Sequence, residues 1–483
     1  MDNWITKRKR LKRTILPALE TDFLNASRNC RDLIEEKIVM SGKDTRASGA
    51  GSIAVGGSAK SSTILTHVIA SSDSKRSEPS SKGGGKSFVA EGPGSVVGNN
   101  FENTYVSTNV SILSAPQDRA DAVHFPRLET PVDVILRIAH AGSEIRFDAL
   151  TRDERRVGPF KKSVGTHPEE FAKELSEIGR GVLPSEEQRA GRLRNIGLDI
   201  AALIPKELLD GNDAVLRAAL TKKGAGPSIL ILTDDAFIPW ELALLPAGGG
   251  GAGRRYLGEA ARVGRWPIND DFAAPRAGLE LGDFHVVVAS SYETTGSRRD
   301  LPHAIAEAEF AVTKFGAMRH EANGAEIAEW LASPRPNAET LLLALHGYSD
   351  PRANEQRLIL GDGHEMTPAD LLGLDGKDRP PRPYSVVFIN ACQAGTGGQT
   401  LGQVSGFPGT LTRRGTGAVI APLWEVDDAG ACHFARCFFT KMLDEAMEAG
   451  VALKSLRQDA ASPGITRLAY IFYGHPLLKL NQD

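Results

Sequence analysis

The sequence predicts an α/β fold with a mainly parallel sheet from about residue 128 onward. Short apolar runs, such as 228–233, 341–345 and 385–391, alternate with longer segments of helical periodicity. The apolar runs are nearly continuous, which is typical of parallel strands covered on both faces. A chain of 483 residues, 41% of them apolar, is long enough for two or three domains.

The order of elements follows from these periodicities. We expect strands at 132–138, 144–150, 228–233, 285–290, 341–345, 385–391 and 417–422. We expect helices at about 167–178, 185–202, 303–318, 324–332, 427–448 and 451–460. Alternation of the two kinds of segment favours crossover connections and hence parallel pairing.

Composition excludes several classes of protein. The 57 basic and 60 acidic residues nearly cancel, so we expect no direct nucleic-acid partner. The four cysteines (Cys30, Cys392, Cys432 and Cys437) are too few for a disulfide framework, which favours a reducing, cytoplasmic setting. No run of 18 apolar residues occurs, so no membrane span is expected. Without a phosphate-binding loop or zinc-ligand spacing, the sequence predicts no cofactor and no metal.

The first 125 residues differ from the rest. Residues 1–40 read as a basic tail and a helix over 14–40, and residues 41–125 are rich in Gly, Ser and Thr. Within them, 51–69 and 94–112 resemble each other: each begins with Gly-Ser and continues with alternating β-branched residues. We expect a two-copy β module that self-associates through 41–118 by stacking on other copies. The alternative is a disordered tail whose two stretches are similar by chance.

Two predicted strands end in residues of chemical interest. His346 and Gly347 follow the strand at 341–345, and Cys392 follows the strand at 385–391. Sites in parallel sheets form just past the carboxyl ends of strands. The 46 residues between His346 and Cys392 leave room for one crossover (392 − 346 = 46), so the two strands can be neighbours.

This pair of residues points to nucleophilic catalysis. A cysteine nucleophile needs a nearby base or cation, and histidine is the natural partner near neutral pH. The backbone amides of Gly347 and Cys392 could bind the oxyanion of the intermediate. The alternative is a hydrogen-bonded core histidine and a small buried cysteine.

The motifs around the pair resemble those of CHAT domains, a branch of the caspase-like (clan CD) cysteine peptidases that is akin to caspases and separases. The resemblance covers about 130–483. It rests on IPWELALLP (238–246), LPHAIAEAE (301–309), LALHGYSD (343–350), RLILGDGHEMTPADLL (357–372), VVFINACQAG (386–395), GTGAVIAPLWEVDDAGA (415–431) and YIFYGHP (470–476). Their order and spacing agree with the family.

The resemblance implies a caspase-like three-layer sandwich. A pseudo-caspase subdomain would occupy 126–278 and a catalytic subdomain 279–483. Cys392 would be the nucleophile and His346 the general base or acid, while no third catalytic residue can be named from the sequence.

Acidic residues after the strand at 417–422 are candidates for a substrate pocket. Glu425, Asp427 and Asp428 would lie near the cleft and favour a basic residue before the cleaved bond. The alternative for Asp427 or Asp428 is to cap the helix that begins near 428. Asp350 is a further pocket candidate, with a simple turn residue as its alternative.

The functional expectation is a cytoplasmic cysteine endopeptidase that cleaves a partner protein. The resemblance implies an effector in prokaryotic defence or programmed cell death. Its substrate would be a gasdermin-like or other effector protein, and its activity would be latent until a partner or sensor binds. The alternatives are an inert caspase-like signalling scaffold and another Cys-His amide hydrolase.

Overall fold

The computed structural model describes residues 125–482 with short gaps, and the backbone of six short strands before them. The gaps are 142–143, 165–167, 181–182, 184, 211–213, 223, 247–252, 269–272, 293–298, 334–336, 351–354, 373–383, 393, 396–398, 401–402, 405 and 460–463. The chain forms two compact units, Met1–Ala122 and Val123–Asp483.

The first unit is described only by its strands. They are β1 (Thr45–Arg46), β2 (Ala54–Gly56), β3 (Ile64–His67), β4 (Ser87–Ala90), β5 (Val96–Val97) and β6 (Val106–Asn109). β1, β2, β4 and β5 form an antiparallel sheet in that order, whereas β3 and β6 form a parallel pair. The helix predicted over 14–40 lies outside the described residues.

The second unit contains twenty described strands. They are β7 (Val134–Ala141), β8 (Glu144–Thr151), β9 (Arg156–Ser163), β10 (Ser228–Thr233), β11 (Leu244–Pro246), β12 (Arg254–Tyr256), β13 (Arg262–Pro267), β14 (Gly278–Glu280), β15 (Asp283–Val288), β16 (Met318–Glu321), β17 (Glu339–Ala344), β18 (His346–Asp350), β19 (Glu355–Ile359), β20 (Glu365–Met366), β21 (Tyr384–Asn390), β22 (Gln399–Thr400), β23 (Gln403–Val404), β24 (Ala418–Pro422), β25 (Tyr470–Tyr473) and β26 (Lys479–Asn481).

Its described α-helices are twelve. They are α1 (Glu169–Gly179), α2 (Glu186–Leu203), α3 (Lys206–Leu209), α4 (Val215–Leu220), α5 (Leu257–Ala260), α6 (Pro302–Phe315), α7 (Gly324–Ala332), α8 (Pro368–Leu371), α9 (Gly406–Arg413), α10 (Asp428–Phe439), α11 (Ala449–Gln458) and α12 (Thr466–Ala469). A 3₁₀ turn at Trp240–Leu242 and a π-helical turn at Thr440–Asp444 complete the helical elements among the described residues.

One large sheet runs through the whole second unit. Its eleven strands follow the order β16-β15-β17-β21-β24-β25-β13-β10-β7-β8-β9. Seven of the ten neighbouring pairs are parallel; the exceptions are β24 with β25, β7 with β8 and β8 with β9. The expectation of an α/β fold with a mainly parallel sheet is therefore confirmed.

The central strands are buried along their whole length. Every residue of β10, β17, β21 and β24 is buried, so both faces of the sheet are covered along these strands. Burial on both faces explains why these strands read as continuous apolar runs rather than as alternating patterns.

The C-terminal helical region differs from the prediction. A single helix over 427–448 is wrong: α10 ends at Phe439, a π-helical turn follows, and α11 begins only at Ala449. Ala446 adopts a φ of 48°, which lies in the left-handed region and interrupts the helix. The apolar periodicity continues through the break, so periodicity alone does not reveal where the helix ends.

The pattern of apolar residues did not predict every strand, and β13 is one that it missed. β13 carries Arg265, which is buried and ion-paired with the buried Glu241 of the 3₁₀ turn. A charged residue in the middle of a strand interrupts the apolar pattern by which a strand is recognised. Arg265 can be buried there only because Glu241, 24 residues away, pairs with it.

Candidate active site

The ends of β17 and β21 bring together the two residues that the sequence singled out. These strands are parallel neighbours, with Ala344 directly opposite Asn390. His346 and Cys392 each follow two residues beyond that pair. The expectation that the two strands are adjacent is confirmed, and the parallel register carries both side chains to the same edge of the sheet.

Gly347 is the point of closest approach. A Cβ atom at this position would lie 2.2 Å from the carbonyl oxygen of Cys392 and 3.0 Å from its amide nitrogen. Only glycine lets the two backbones come so near. The backbone that follows His346 is therefore packed directly on the half-buried Cys392.

The imidazole of His346 is held from two sides. Its Nε2 atom lies 2.8 Å from the carbonyl oxygen of Arg299, and because a carbonyl oxygen can only accept, Nε2–H is the donor. The ring packs edge-on against Tyr292, with 4.6 Å between centroids. A base oriented by a third group is the arrangement that nucleophilic catalysis requires.

Tyr292 also joins the backbone around the histidine. Its hydroxyl accepts a hydrogen bond from the amide of His346 (3.2 Å) and donates to the carbonyl oxygen of Ile359 (3.4 Å). Its own amide donates to Asp300 Oδ1 at 2.7 Å. Sequence reasoning missed these contacts, because a backbone carbonyl such as that of Arg299 carries no residue-type signal.

A cavity of about 420 Å³ opens beside Cys392. Its walls come from parts of the second unit that are far apart in the sequence. The lining residues are Gly179, Glu186, Arg189, Cys392, Glu425, Val426, Asp427, Gly464, Ile465 and Thr466. The contribution of α1 and α2 was not foreseen, since nothing local in their sequence connects them with residue 392.

The charged residues of this cavity are partly engaged with one another. Glu186 pairs with Arg189 at 2.8 Å and accepts the amide of Ile465 at 2.8 Å. Glu425 lies 3.6 Å from the exposed guanidinium of Arg180. Three carboxylates against one guanidinium line the cavity, so its wall is acidic.

The predicted pocket residues have different surroundings. Asp427 lines the cavity and also caps α10 by accepting the amide of Gly430 at 2.9 Å, so the capping interpretation is confirmed. Asp428 accepts the amide of His303 at 3.0 Å and is not among the described residues that line the cavity. Asp350 belongs to β18, where it pairs with Glu355; its side chain lies outside the described part of the structure.

The other described cysteines are poor nucleophiles. Burial raises the pKa of Cys432 to about 11. Burial also raises the pKa of Cys437 above its usual value. Both thiols therefore stay protonated near neutral pH, as expected for packing residues.

Two further properties of the described residues bear on the kind of site. Among the described residues, no cluster of three or more His, Cys, Asp or Glu side chains is arranged to hold a metal ion. Within the same residues, none of the helices has the length and apolar character needed to cross a bilayer.

The large, mainly parallel sheet defines an α/β protein. The chain belongs to the CHAT domain family, whose family model matches residues 204–476. The family is related to caspase-like cysteine peptidases. Among curated protein sequences, no significant match was found.

Solved structures of two other proteins are similar to the chain. The separase of Saccharomyces cerevisiae, solved in complex with securin, has 11% identity and a TM-score of 0.45 over 71% of this chain and 30% of the separase chain. The Arg-specific cysteine proteinase gingipain R (RgpB) has 13% identity and a TM-score of 0.36 over 61% of this chain and 76% of its own. A complex of the RgpB pro- and mature domains from Porphyromonas gingivalis has 13% identity and a TM-score of 0.35, over 65% and 77% of the two chains. The chain thus spans less than a third of the separase chain.

Proposed function

We propose that the protein is a cysteine endopeptidase with Cys392 as nucleophile and His346 as general base and acid. The observation that carries this proposal is the register of β17 and β21, in which Ala344 opposite Asn390 delivers both residues to one sheet edge. The contact of Gly347 with the Cys392 backbone and the hydrogen bond from His346 to Arg299 add support.

The proposed reaction has two steps. The Cys392 thiol gives its proton to His346, and the thiolate attacks the peptide carbonyl. The C–N bond then breaks as His346 returns the proton to the leaving amine, which leaves a thioester on Cys392. Water, deprotonated by His346, hydrolyses the thioester and restores the thiol. We assign the oxyanion to the backbone amides of Gly347 and Cys392, each worth about 3–4 kcal/mol in the transition state.

We assign the cavity beside Cys392 to the substrate residue that precedes the cleaved bond. Its acidic wall, with Glu425 and Asp427 from the loop after β24, favours Lys or Arg there. Arg180 lies exposed beside Glu425, and the positive side chain of a substrate would replace it in the contact with Glu425. Asp350 remains a second candidate for the pocket, while the contact of Asp428 with His303 favours a structural role.

The test is hydrolysis of a fluorogenic peptide library by the full chain. We expect cleavage after Lys or Arg, and a loss of about 10²–10⁴-fold in kcat for His346→Ala, with a loss at least as large for Cys392→Ala. Cys437→Ala is the matched control and should retain activity. Turnover that survives in Cys392→Ala would contradict the proposal.

Two other outcomes would favour the remaining alternatives. Turnover of small amides but of no peptide would indicate a different Cys-His amide hydrolase. No turnover at all, together with unchanged cellular effects of Cys392→Ala, would indicate an inert signalling scaffold.

We also propose that the first unit mediates self-association. β3 and β6 come from the two similar stretches and pair in parallel, with Ile64 opposite Val106 and Thr66 opposite Thr108. Among the described strands, these two pair only with each other. Because equivalent positions of the repeat lie opposite one another, β3 of a second copy could continue the ladder on β6 in the same register.

Light scattering on the full chain tests this second proposal. The molar mass of the wild type should rise with concentration above 51.7 kDa. Thr66→Pro should stay monomeric, because proline cannot donate to the ladder. Ser74→Pro, in the Ser-rich stretch between the repeats, is the control and should behave as the wild type. A wild type that is monomeric at all concentrations would overturn the proposal.

On family membership alone, we propose a role as an effector in prokaryotic defence or programmed cell death, acting on a partner protein of the gasdermin-like or another effector class once a sensor binds. Growth of cells that express the wild type or Cys392→Ala, with and without neighbouring genes, tests this role. Toxicity that depends on Cys392 and on a neighbour would support it, and equal growth under all conditions would count against it.

A further inference from the structure

Three buried polar side chains form a row beneath the turn that carries Cys392. The amide of Asn390, the last residue of β21, donates to Glu307 Oε2 at 2.6 Å. The carbonyl oxygen of the same side chain accepts a hydrogen bond from the Tyr470 hydroxyl at 2.6 Å. Glu307 is 1% exposed, Asn390 8% and Tyr470 0%. The mechanism above uses none of the three.

The row joins three separate elements. Glu307 lies on α6, Asn390 on β21 and Tyr470 on β25. The ring of Tyr470 is itself fixed, since it stacks on Phe434 with 3.9 Å between centroids and an angle of 8° between the rings. Asn390 is therefore held at both ends of its amide by groups that have little freedom to move.

Asn390 also touches the histidine side of the candidate site. Its backbone carbonyl accepts the amide of Leu345 at 3.3 Å, and Leu345 directly precedes His346. Cys392 follows Asn390 by two residues. A single residue thus connects the two strand ends on which the dyad depends.

Burying these three polar side chains lowers the stability of the folded protein. Burial raises the pKa of Glu307 well above its usual range, with Asp428 and Arg436 as the other charged groups whose fields reach it. The second carboxyl oxygen of Glu307 has no hydrogen-bond partner among the described residues. An apolar core would avoid the cost of burying these groups.

We propose that Glu307, Asn390 and Tyr470 are positioning residues that hold the Cys392 turn against the strand end carrying His346. The inference rests on the proposed function, in which Cys392 is the nucleophile. An amide fixed at both ends has one orientation, whereas loss of either partner frees its side chain. A displacement of about 1 Å at a reacting atom lowers the rate by roughly 10²-fold.

The test measures the reactivity of Cys392 without any substrate. Iodoacetamide alkylation of the full chain is followed from pH 5 to 10 by mass spectrometry of the peptide that contains Cys392. Tyr470→Phe removes one hydroxyl and keeps the ring on Phe434. We expect a shifted pH midpoint of alkylation, and in the peptidase assay roughly a tenfold lower kcat at unchanged KM.

Matched variants separate positioning from stability. Tyr473→Phe removes a buried hydroxyl from the same strand and should leave the alkylation profile of Cys392 unchanged. Glu307→Gln keeps an acceptor for the Asn390 amide and should retain the wild-type profile, whereas Glu307→Leu should show the defect of Tyr470→Phe.

Two results would overturn the inference, and they are distinguishable. If His346→Ala alters the profile but Tyr470→Phe and Glu307→Leu do not, the three residues are structural only and the proposed function stands. If His346→Ala itself leaves the profile of the wild type unchanged, no dyad exists, and the proposed function fails together with this inference.

Discussion

Gly347 and Cys392 are in direct backbone contact, so close that a Cβ atom on residue 347 would lie 2.2 Å from the carbonyl oxygen of Cys392. Gly347→Ala should therefore push the two strand ends apart. We expect kcat/KM for the preferred peptide to fall by about 10²-fold or more, because the reacting groups are displaced.

The control for this prediction is Gly191→Ala. Gly191 lies on α2, and a Cβ there meets nothing within 4 Å. This variant should keep full activity and gain up to about 1 kcal/mol of stability from the better helix former. Equal activity of Gly347→Ala and the wild type would show that the close contact has no catalytic consequence.

Tyr292 supports His346 through its hydroxyl and its ring. Tyr292→Phe keeps the ring contact but removes the bridge between the His346 amide and the Ile359 carbonyl. We expect several-fold lower kcat and a loss of roughly 1 kcal/mol in the free energy of unfolding. Tyr384→Phe, which removes a buried hydroxyl bonded to Leu371, should lose similar stability and no activity. The same fall in kcat in both variants would refute a specific role for Tyr292.

The acidic wall of the cavity predicts a charge-dependent preference. Glu425→Gln should lower kcat/KM for substrates with Arg before the cleaved bond by about fivefold, equivalent to roughly 1 kcal/mol for a partly exposed ion pair. Substrates with a neutral residue there should be unaffected. Glu309→Gln, an exposed site on α6, is the control. An equal loss for both kinds of substrate would rule out Glu425 as a selective contact.

A histidine outside the site makes stability depend on pH. The hydrogen bond with Asp235, at 3.0 Å, raises the pKa of His140 above its ordinary value of 6.5. The folded state therefore binds this proton more tightly than the unfolded state. The resulting stabilisation is complete below about pH 6.5 and is lost as pH rises through the raised pKa.

Urea unfolding of the wild type and His140→Asn at several pH values checks this prediction. The difference in unfolding free energy should be about 1–2 kcal/mol at acidic pH and should shrink towards pH 9. The Asn variant keeps the backbone amide that donates to Asp234 but loses the imidazole charge that lowers the pKa of Asp234, so the measured difference includes that coupling. A difference that is independent of pH would mean that the imidazole does not carry the effect.

Much of the region around β17, β21 and β24 could be predicted from residues alone. The runs that became β17, β21 and β24 are continuous and apolar because each is buried on both faces. The spacing of His346 and Cys392 then required only one crossover to make their strands neighbours, and the observed register agrees. A helix cap at Asp427 or Asp428 was one of the interpretations that the sequence left open, because capping depends on local sequence, and the structure shows the cap at Asp427.

Other features were decided only by the tertiary structure. The carbonyl of Arg299 orients His346, α2 lines the cavity beside Cys392, and Glu307 reaches Asn390 from 83 residues away. Periodicity and capping are local properties, so the sequence by itself determined the strands, their burial and the pair of residues at their ends. Backbone carbonyls carry no residue type, and contacts between distant segments depend on how whole elements pack. The contacts around His346 and the shape of the cavity beside Cys392 were therefore settled by folding alone.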